Sequence, residues 1–153
     1  MSKSVRYEPY RATDGLSPQA QALLAYVRKR DFVSYAEMGD VLRPFIPVDG
    51  HLAAEVGGVA NLVLWMGMSQ AWADTLKELS TAGLLWREPC SLLVYLVDGA
   101  VLPLPVAKHP PKGGYATPHW APSCVRPIEH ITPRERKRYG TAPAGRMSAG
   151  KRG

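Results

Sequence analysis

The stretch WMGMSQAWADTLKELSTAGLLWRE, residues 65–88, contains the strongest local folding signals in the chain. Ser69 suits the N-cap position of a helix, because its hydroxyl can accept a hydrogen bond from an amide of the first turn. Three large apolar residues then recur at helical spacing: Trp72, Leu76 and Leu79. Gly83 suits the left-handed position after a helix, and Leu84–Trp86 is typical of a strand. The segment predicts a turn at Gly67, a helix and then a strand.

Two further helices are predicted upstream of this stretch. Ser17 and Pro18 suit the N-cap and the first position of a helix. The apolar positions of that helix fall on one face: Ala20, Leu23, Leu24 and Val27. Ser34 and Glu37 have the spacing of a capping box and predict a second helix. Its inner residues are expected to be Met38, Val41 and Leu42.

The middle of the chain predicts one more helix and a hairpin. An apolar stripe at helical spacing indicates a helix over residues 52–66: Leu52, Val56, Val59, Val63 and Met66. The pair Gly57-Gly58 weakens such a helix by roughly 2 kcal/mol, so we expect a close helix crossing there. Leu92–Val97 is rich in Leu, Val and Tyr and predicts a strand, joined through a turn at Asp98-Gly99 to a short edge run, Val101–Leu104.

The charge distribution divides the chain. Residues 1–107 contain nine Lys/Arg against eleven Asp/Glu, whereas residues 108–153 contain ten against two. The segment KHPPKGGYATPHWAPSCVRP, residues 108–127, has five prolines and predicts no regular core element. We therefore expect an N-terminal arm at 1–16, a domain at 17–107, and a basic Pro/Gly-rich tail at 108–153. Within the tail, Thr132, Pro133 and Glu135 predict a short helix at 133–139.

Several classes of protein are not indicated. No apolar run is long and uninterrupted enough to predict a membrane span, and MSKSVRYEPYR at the start has no signal-peptide character. Two cysteines, Cys90 and Cys124, suit a reducing cytoplasm. We find no phosphate-binding glycine loop, nucleophile elbow or paired carboxylates, so a protein that binds rather than catalyses, without a cofactor, is expected.

The helix, glycine turn, Ser69-Gln70, helix and following strands of residues 60–105 resemble the winged helix-turn-helix proteins of bacteria and phages. The resemblance implies an α+β, winged-helix-like fold: about four helices, a small antiparallel β-wing and an extended C-terminal tail. It also implies that the second helix presents its first residues to a DNA groove. The groove-binding candidates are Ser69, Gln70, Lys77 and Arg87. The outward positions of this helix are expected to be Gln70, Ala73, Asp74, Lys77 and Ser80, with Glu78 nearby. One cation then stands against two acids, so use of the fold for protein contacts or dimerisation remains the alternative.

A second resemblance is to the DNA-binding domain of O6-alkylguanine alkyltransferases and alkyltransferase-like proteins. It rests on VSYAEM (33–38), LAAEVGGVA (52–60) and EPCSLLV (88–94). Tyr35 falls at the tyrosine of that family and Cys90 at its reactive cysteine. Ala54 stands in place of the base-displacing arginine, and Ser91-Leu92 in place of His-Arg. With no activating partner nearby in sequence, Cys90 is expected to be a small apolar residue at the start of a strand.

The tail combines cations with aromatic residues, a mixture that suits phosphate neutralisation and base stacking. The predicted nucleic-acid ligands are Lys108, Lys112, Arg126, Arg134, Arg136, Lys137 and Arg138, with the aromatic residues Tyr115, Trp120 and Tyr139. The expected partner is duplex DNA. The alternatives are a solubilising tail, a tail that binds an acidic protein, and a protein partner held by the acidic core; a homodimer is also compatible. The spacing of His109, His119, Cys124 and His130 matches no zinc pattern, so no metal site is expected.

Overall fold

The computed structural model describes residues 15–139 and 146–148, so the predicted arm lies outside it except for its last two residues. Helix α1 (Pro18–Arg30) begins where the sequence predicts, because the Ser17 hydroxyl accepts a hydrogen bond from the Ala20 amide. The predicted apolar face is buried: Ala20, Leu23, Leu24 and Val27. The last turn contains Arg28, Lys29 and Arg30, where positive charge favours the negative end of the helix dipole.

A two-residue strand and a second helix follow. Strand β1 (Val33–Ser34) leads directly into α2 (Tyr35–Leu42). The Ser34 hydroxyl accepts a hydrogen bond from the Glu37 amide at 3.0 Å, so the helix begins at the predicted capping residue. Met38 and Leu42, two of the predicted inner residues, are fully buried.

The predicted helix over residues 52–66 is wrong. This segment belongs to an antiparallel hairpin of β2 (Asp49–Glu55) and β3 (Ala60–Met68). The chain reverses through Gly57-Gly58, and Gly58 has a φ of +80°, which glycine adopts readily. Two glycines that weaken a helix suit such a reversal, so the expected helix crossing does not exist. The predicted turn at Gly67 is also wrong, because Gly67 lies within β3, with a φ of +77° next to the irregular pairing of Met68 with β2.

Helix α3 (Gln70–Thr81) confirms the prediction made from the central stretch. The Ser69 hydroxyl accepts a hydrogen bond from the Trp72 amide at 3.0 Å. The inward residues Trp72, Leu76 and Leu79 are all buried. Gly83 follows the helix with a φ of +71°, and β4 (Leu85–Pro89) comes next, as expected.

The predicted strand at Leu92–Val97 is also wrong, because α4 (Leu92–Asp98) occupies this segment. Ser91 caps the helix by accepting a hydrogen bond from the Leu93 amide at 3.1 Å. Gly99, expected in a hairpin turn, ends the helix in the left-handed conformation. The expected edge run Val101–Leu104 is not a strand, and an isolated bridge between Val106 and Trp120 follows it.

The expectation that residues 108–127 form no core element is wrong. They contain β5 (Gly114–Trp120) and β6 (Ser123–Pro127), and every residue of β6 is buried. The predicted boundary at Ala107 therefore precedes two strands of the fold. A 3₁₀ turn (Ile128–His130) leads to α5 (Pro133–Tyr139), found at the predicted position, and β7 (Arg146–Ser148) is the last described element. Gly140, expected to close α5, lies outside the described residues.

Two small sheets result, and the overall class is α+β with five helices among the described residues. In the first sheet β6 lies between β1 and β4 and is antiparallel to both. The second sheet has the order β5-β3-β2-β7, with β5 parallel to β3 and the other pairs antiparallel.

Three aromatic rings connect the strands of the second sheet with α4. The Tyr95 ring of α4 lies 5.3 Å from the Trp65 ring and 4.9 Å from the Trp120 ring, centroid to centroid. Trp120 also donates a hydrogen bond from its indole nitrogen to the Leu64 carbonyl at 3.2 Å. These contacts place Trp120, expected in a solvated tail, in the core. Over the part of the chain that the structure describes, no helix combines the length and the apolar character needed to cross a bilayer.

Candidate nucleic-acid interface

Helix α5 exposes a group of cations on the surface of the described fold. Thr132 and Glu135 build the reciprocal capping box: the Thr132 amide donates to the Glu135 carboxylate at 2.9 Å, and the Glu135 amide donates to the Thr132 hydroxyl at 3.1 Å. The helix then exposes Arg134, Arg136 and Lys137, which we call the α5 cations. The backbone of Arg138 continues the helix, but its side chain lies outside the description.

A buried arginine holds α5 against the domain. Arg126 in β6 donates to the Glu135 carboxylate at 3.0 Å. The same guanidinium makes two hydrogen bonds to Asp31, at 2.9 and 3.1 Å, and lies 3.6 Å from a carboxylate oxygen of Glu88. The prediction of Arg126 as a phosphate ligand is therefore wrong: its side chain is 9% exposed, and three carboxylates already surround it. Its charge orients α5 rather than meeting a polyanion.

The backbone at Asp31 and Phe32 is unusual. Both residues have a positive φ, 56° and 51°, in the region that residues other than glycine rarely adopt. This conformation places the Phe32 ring 4.0 Å from the Arg126 guanidinium carbon, and it directs the Asp31 carboxylate to Arg126 and to the His130 ring at 2.9 Å. A cation over an aromatic face gains about 0.5–2 kcal/mol. These contacts offset the strain of the turn that ends α1.

These contacts shift the pKa values of Asp31 and Arg126. Burial raises the pKa of the Asp31 carboxyl, but hydrogen bonds from Arg126 and His130 outweigh burial, so the pKa lies below its ordinary value. The Asp31 hydrogen bonds raise the pKa of Arg126 further above its ordinary value. The guanidinium therefore stays charged, and Asp31 stays ionised well into the acid range.

The basic end of α1 lies beside α5. Arg28 donates a hydrogen bond to Glu129, in the 3₁₀ turn before α5, at 2.6 Å. Arg30 pairs with Glu37 at 3.1 Å, whereas Lys29 is exposed between these two pairs. The basic end of α1 therefore presents one exposed cation, Lys29, while Arg28 and Arg30 are partly neutralised by their carboxylate partners.

Helix α3, the expected groove-reading element, exposes little polar surface. Ser69 is buried, and its hydroxyl donates to the Pro47 carbonyl at 2.7 Å in addition to capping the helix, so its prediction as a DNA contact is wrong. Gln70 is exposed and hydrogen-bonded to Asp74 at 2.8 Å, and Lys77 is exposed. Ala73, expected outward, is buried.

Glu78 of α3 also lies inside the fold rather than at its surface. It is 1% exposed, and its carboxylate accepts hydrogen bonds from the amide and the hydroxyl of Ser17, at 2.5 and 2.8 Å. Glu78 therefore joins α3 to the start of α1. Arg87, the remaining groove candidate, is half-buried on β4 and donates to the Ser123 hydroxyl at 3.3 Å.

A second group of predicted nucleic-acid ligands consists of two lysines before the edge strand β5 and an aromatic residue on it. Lys108 and Lys112 are exposed in the loop that leads to this strand. On the strand, the Tyr115 ring stacks on the His119 ring with a centroid distance of 3.6 Å and an interplanar angle of 8°. No contact connects Lys108 or Lys112 with the α5 cations, so the predicted tail cations form two separate groups.

Within the described ranges, no group of three or more His, Cys, Asp or Glu residues has the arrangement of a metal site. His130 is bound to Asp31, and His119 is stacked on Tyr115. Cys124 lies in β6, and the side chains that act most on its thiol are Cys90, Glu88 and Asp31 rather than these histidines.

Sequence patterns missed the apolar face of α4. The strand prediction for Leu92–Val97 implied a half-buried element, but on the helix only Tyr95 is buried. Leu93 is 66% exposed, Leu96 52% and Val97 84%, and Val101 beyond the helix is 50% exposed. Once α4 is known to be a helix, the cluster follows from the sequence, because residues 93, 96 and 97 share one face at helical spacing. Grouped exposed apolar side chains are typical of an interaction surface.

The comparisons with known proteins add no family to this description: no family model, no curated protein and no solved structure matches the chain.

Proposed function

We propose that the protein binds nucleic acid, with duplex DNA as the expected partner, and acts as a regulator or accessory factor by binding rather than by catalysis. The observation that carries the proposal is the α5 helix. Its inward acid, Glu135, is held by the buried Arg126, while Arg134, Arg136 and Lys137 face solvent. A fixed helix that presents three cations suits the phosphate backbone, which supplies much of the affinity of proteins for nucleic acid.

The chain order supports a winged-helix version of this proposal. Helices α2 and α3 both pack against α1. The strand β4 follows α3 directly, and β6 pairs with it and with β1. Three helices beside a three-stranded antiparallel sheet support a winged-helix-like arrangement with α2 and α3 as the helix pair, in place of the predicted pair whose first member, residues 52–66, is a hairpin. In chain order the β2–β3 hairpin lies between α2 and α3, and α4 with β5 lies between β4 and β6.

Phosphate contact by α5 fits the distribution of exposed cations better than groove reading by α3 does. Among the described residues, Lys77 is the sole cation of α3, and Gln70 is engaged by Asp74. The basic end of α1 contacts the 3₁₀ turn before α5 through Arg28 and Glu129, and it exposes one further cation, Lys29. Binding of this kind is expected to depend strongly on salt and weakly on sequence.

Fluorescence anisotropy with a labelled DNA duplex tests the proposal. If three or four cations contact phosphates, the slope of log affinity against log salt should be about −3 to −4. Lys137→Glu should weaken binding and reduce that slope by about 1. The matched control is Lys77→Glu, which makes the same charge change on α3 and should leave the slope unchanged. Equal losses in both variants would favour groove reading by α3, and absence of binding by the full chain would contradict the proposal.

A second candidate function, protein interaction, is favoured by the apolar face of α4. Among the residues of this helix only Asp98 is charged, and Ser34 donates a hydrogen bond to its carboxylate at 2.5 Å. Two copies of this face would meet without like-charge repulsion, so we propose a second copy of the chain as its occupant, in a symmetric dimer. Sedimentation equilibrium should show a dimer that Val97→Asp dissociates. A monomer at all concentrations would contradict self-association.

A further inference from the structure

The two cysteines, 34 positions apart in the sequence, lie next to each other in the first sheet. Strands β4 and β6 pair with Glu88 opposite Cys124 and Pro89 opposite Ser123. The Cys90 amide extends this ladder by donating to the Pro122 carbonyl at 3.0 Å. Residues two apart on a strand share a face, so Cys90 and Cys124 occupy diagonal positions on the same face of the sheet.

The two thiol groups also affect each other's ionisation. The Cys124 thiol donates a hydrogen bond to the Cys90 sulfur, which lowers the pKa of Cys90 although burial acts in the opposite direction. The same hydrogen bond, together with burial, raises the pKa of Cys124. Cys90 is half-buried and accessible to a small reagent, whereas Cys124 is 1% exposed. The pair thus combines one thiol that loses its proton more readily with one that is shielded.

The charged side chains that act most on these two thiols are acidic. The carboxylates that act on Cys90 are Glu88 and Asp98, and those that act on Cys124 are Glu88 and Asp31, all of which oppose a negative sulfur. The hydrogen bond from one thiol to the other is therefore the specific feature that favours the Cys90 thiolate. The expectation that Cys90 has no activating partner holds for its neighbours in sequence but not for those in space.

We propose that Cys90 and Cys124 form an oxidisable dithiol, which a hydroperoxide converts into an intramolecular disulfide. The Cys90 thiolate attacks the outer peroxide oxygen, the O–O bond breaks, and the leaving alkoxide or hydroxide takes up a proton. Cys90 is then a sulfenic acid. The Cys124 sulfur attacks the Cys90 sulfur, an S–S bond replaces the S–O bond, and the departing hydroxide with the Cys124 proton forms water. Two thiols are oxidised while one peroxide is reduced.

Such a disulfide would fasten the start of α4 to the central strand of the first sheet. The closed loop runs from Cys90 to Cys124 and contains both α4, with its apolar face, and β5. Because a cross-link restricts the unfolded chain, the oxidised protein should melt roughly 5–15 °C above the reduced protein. Oxidation would thereby stabilise the segment that presents the apolar face.

Intact-mass spectrometry of the full chain, with and without hydrogen peroxide, tests this proposal. The wild type should lose about 2 Da, the mass of two hydrogens, and regain it with dithiothreitol. Peptide mapping should place the bond between Cys90 and Cys124 within one chain. In Cys124→Ala, Cys90 should stop at the sulfenic acid and be trapped by dimedone, whereas Cys90→Ser should form no intramolecular bond.

Two results would overturn the proposal. One is a wild type that gains oxygen atoms at Cys90 or remains unmodified while a free-thiol control is consumed. The other is a disulfide that joins two chains instead of Cys90 and Cys124 of one chain. If Cys124→Ala fails to fold, Cys90→Ser and the wild type alone decide the outcome, because the loss of two hydrogens requires both sulfurs.

Discussion

Arg126 and Asp31 are joined by two hydrogen bonds, Nε to Oδ1 at 2.9 Å and NH2 to Oδ2 at 3.1 Å, although 95 positions separate them in the sequence. The pair fastens the middle strand of the first sheet to the turn that ends α1. Through the third hydrogen bond of the guanidinium, to Glu135, it also sets the position of α5. Arg126, whose charge suggests nucleic-acid binding, thus orients a helix that exposes Arg134, Arg136 and Lys137. Of these three, Arg136 also donates a hydrogen bond to the Ile128 carbonyl at 3.3 Å.

Replacement of Arg126 should be severely destabilising. Arg126→Met removes the positive charge from among Asp31, Glu88 and Glu135 and leaves these carboxylates without their shared partner. Loss of one partner from a buried ion pair costs about 3–5 kcal/mol, and we expect a decrease of at least about 3 kcal/mol in the free energy of unfolding. Urea unfolding at neutral pH measures it. Arg134→Met, the same change at an exposed position of α5, should lie within about 0.5 kcal/mol of the wild type. Equal effects would show that Arg126 is not buried as described.

Asp31 should make the protein sensitive to acid. Because its pKa is lower in the folded state than in the unfolded chain, its contribution is fully present above the unfolded pKa and is lost as the pH falls through the folded value. The free energy of unfolding should therefore decrease below about pH 4. In Asp31→Asn the decrease between pH 5 and pH 2 should be smaller than in the wild type, with a lower starting stability at pH 7. An unchanged slope in this variant would contradict the lowered pKa.

The helical phase of α3 gives a contrast between two neighbouring residues. Leu76 is 2% exposed, and its truncation to alanine should cost about 2–5 kcal/mol. Lys77 is exposed, so Lys77→Ala should leave the stability within about 0.5 kcal/mol of the wild type. Thermal melts followed by circular dichroism compare the two variants. The reverse ranking would mean that α3 is rotated relative to the core.

The helices that the sequence predicts correctly are those with a capping residue at their first turn. Ser17, Ser34, Ser69 and Thr132 each precede a helix and accept an amide hydrogen bond at its first turn. Such a cap acts within four residues, so it can be recognised without knowledge of the tertiary fold. These caps explain why α1, α2, α3 and α5 were placed correctly.

Among the misassigned elements, α4 has a local cap at Ser91 that the strand prediction overlooked, whereas the strands depend on contacts outside their own segments. The apolar run Ala60–Met68 fits a helix or a strand by periodicity, and pairing with β2 and β5 decides for the strand. The five prolines of residues 108–127 predict an absence of core structure. Pro127, however, ends β6 opposite Leu85, where a missing amide donor is tolerated. For the same reason Arg126 and Cys124, whose partners lie far away in the sequence, could not be assigned from local patterns.

The role of the C-terminal strands leads to a prediction about truncation. From charge and proline content, a chain that ends at Ala107 is expected to keep a folded domain. The structure predicts the opposite, because this truncation removes β6 from between β1 and β4, together with the buried side chains of Trp120 and Val125. Loss of one large core side chain already costs about 3–5 kcal/mol, and total stabilities are about 5–15 kcal/mol.

The truncated chain should therefore lack a cooperative thermal transition and bind a hydrophobic dye such as ANS. The matched control is a chain that ends at Tyr139, which keeps β5, β6 and α5 and should unfold cooperatively. Circular dichroism and dye fluorescence of the two chains measure the difference. A cooperative transition near the wild-type temperature in the shorter chain would show that α1, α2 and α3 form a core without β6, and that the domain ends at residue 107. Loss of DNA binding by a chain that has unfolded would then say nothing about the α5 cations, which is why Lys137→Glu tests them in the full chain.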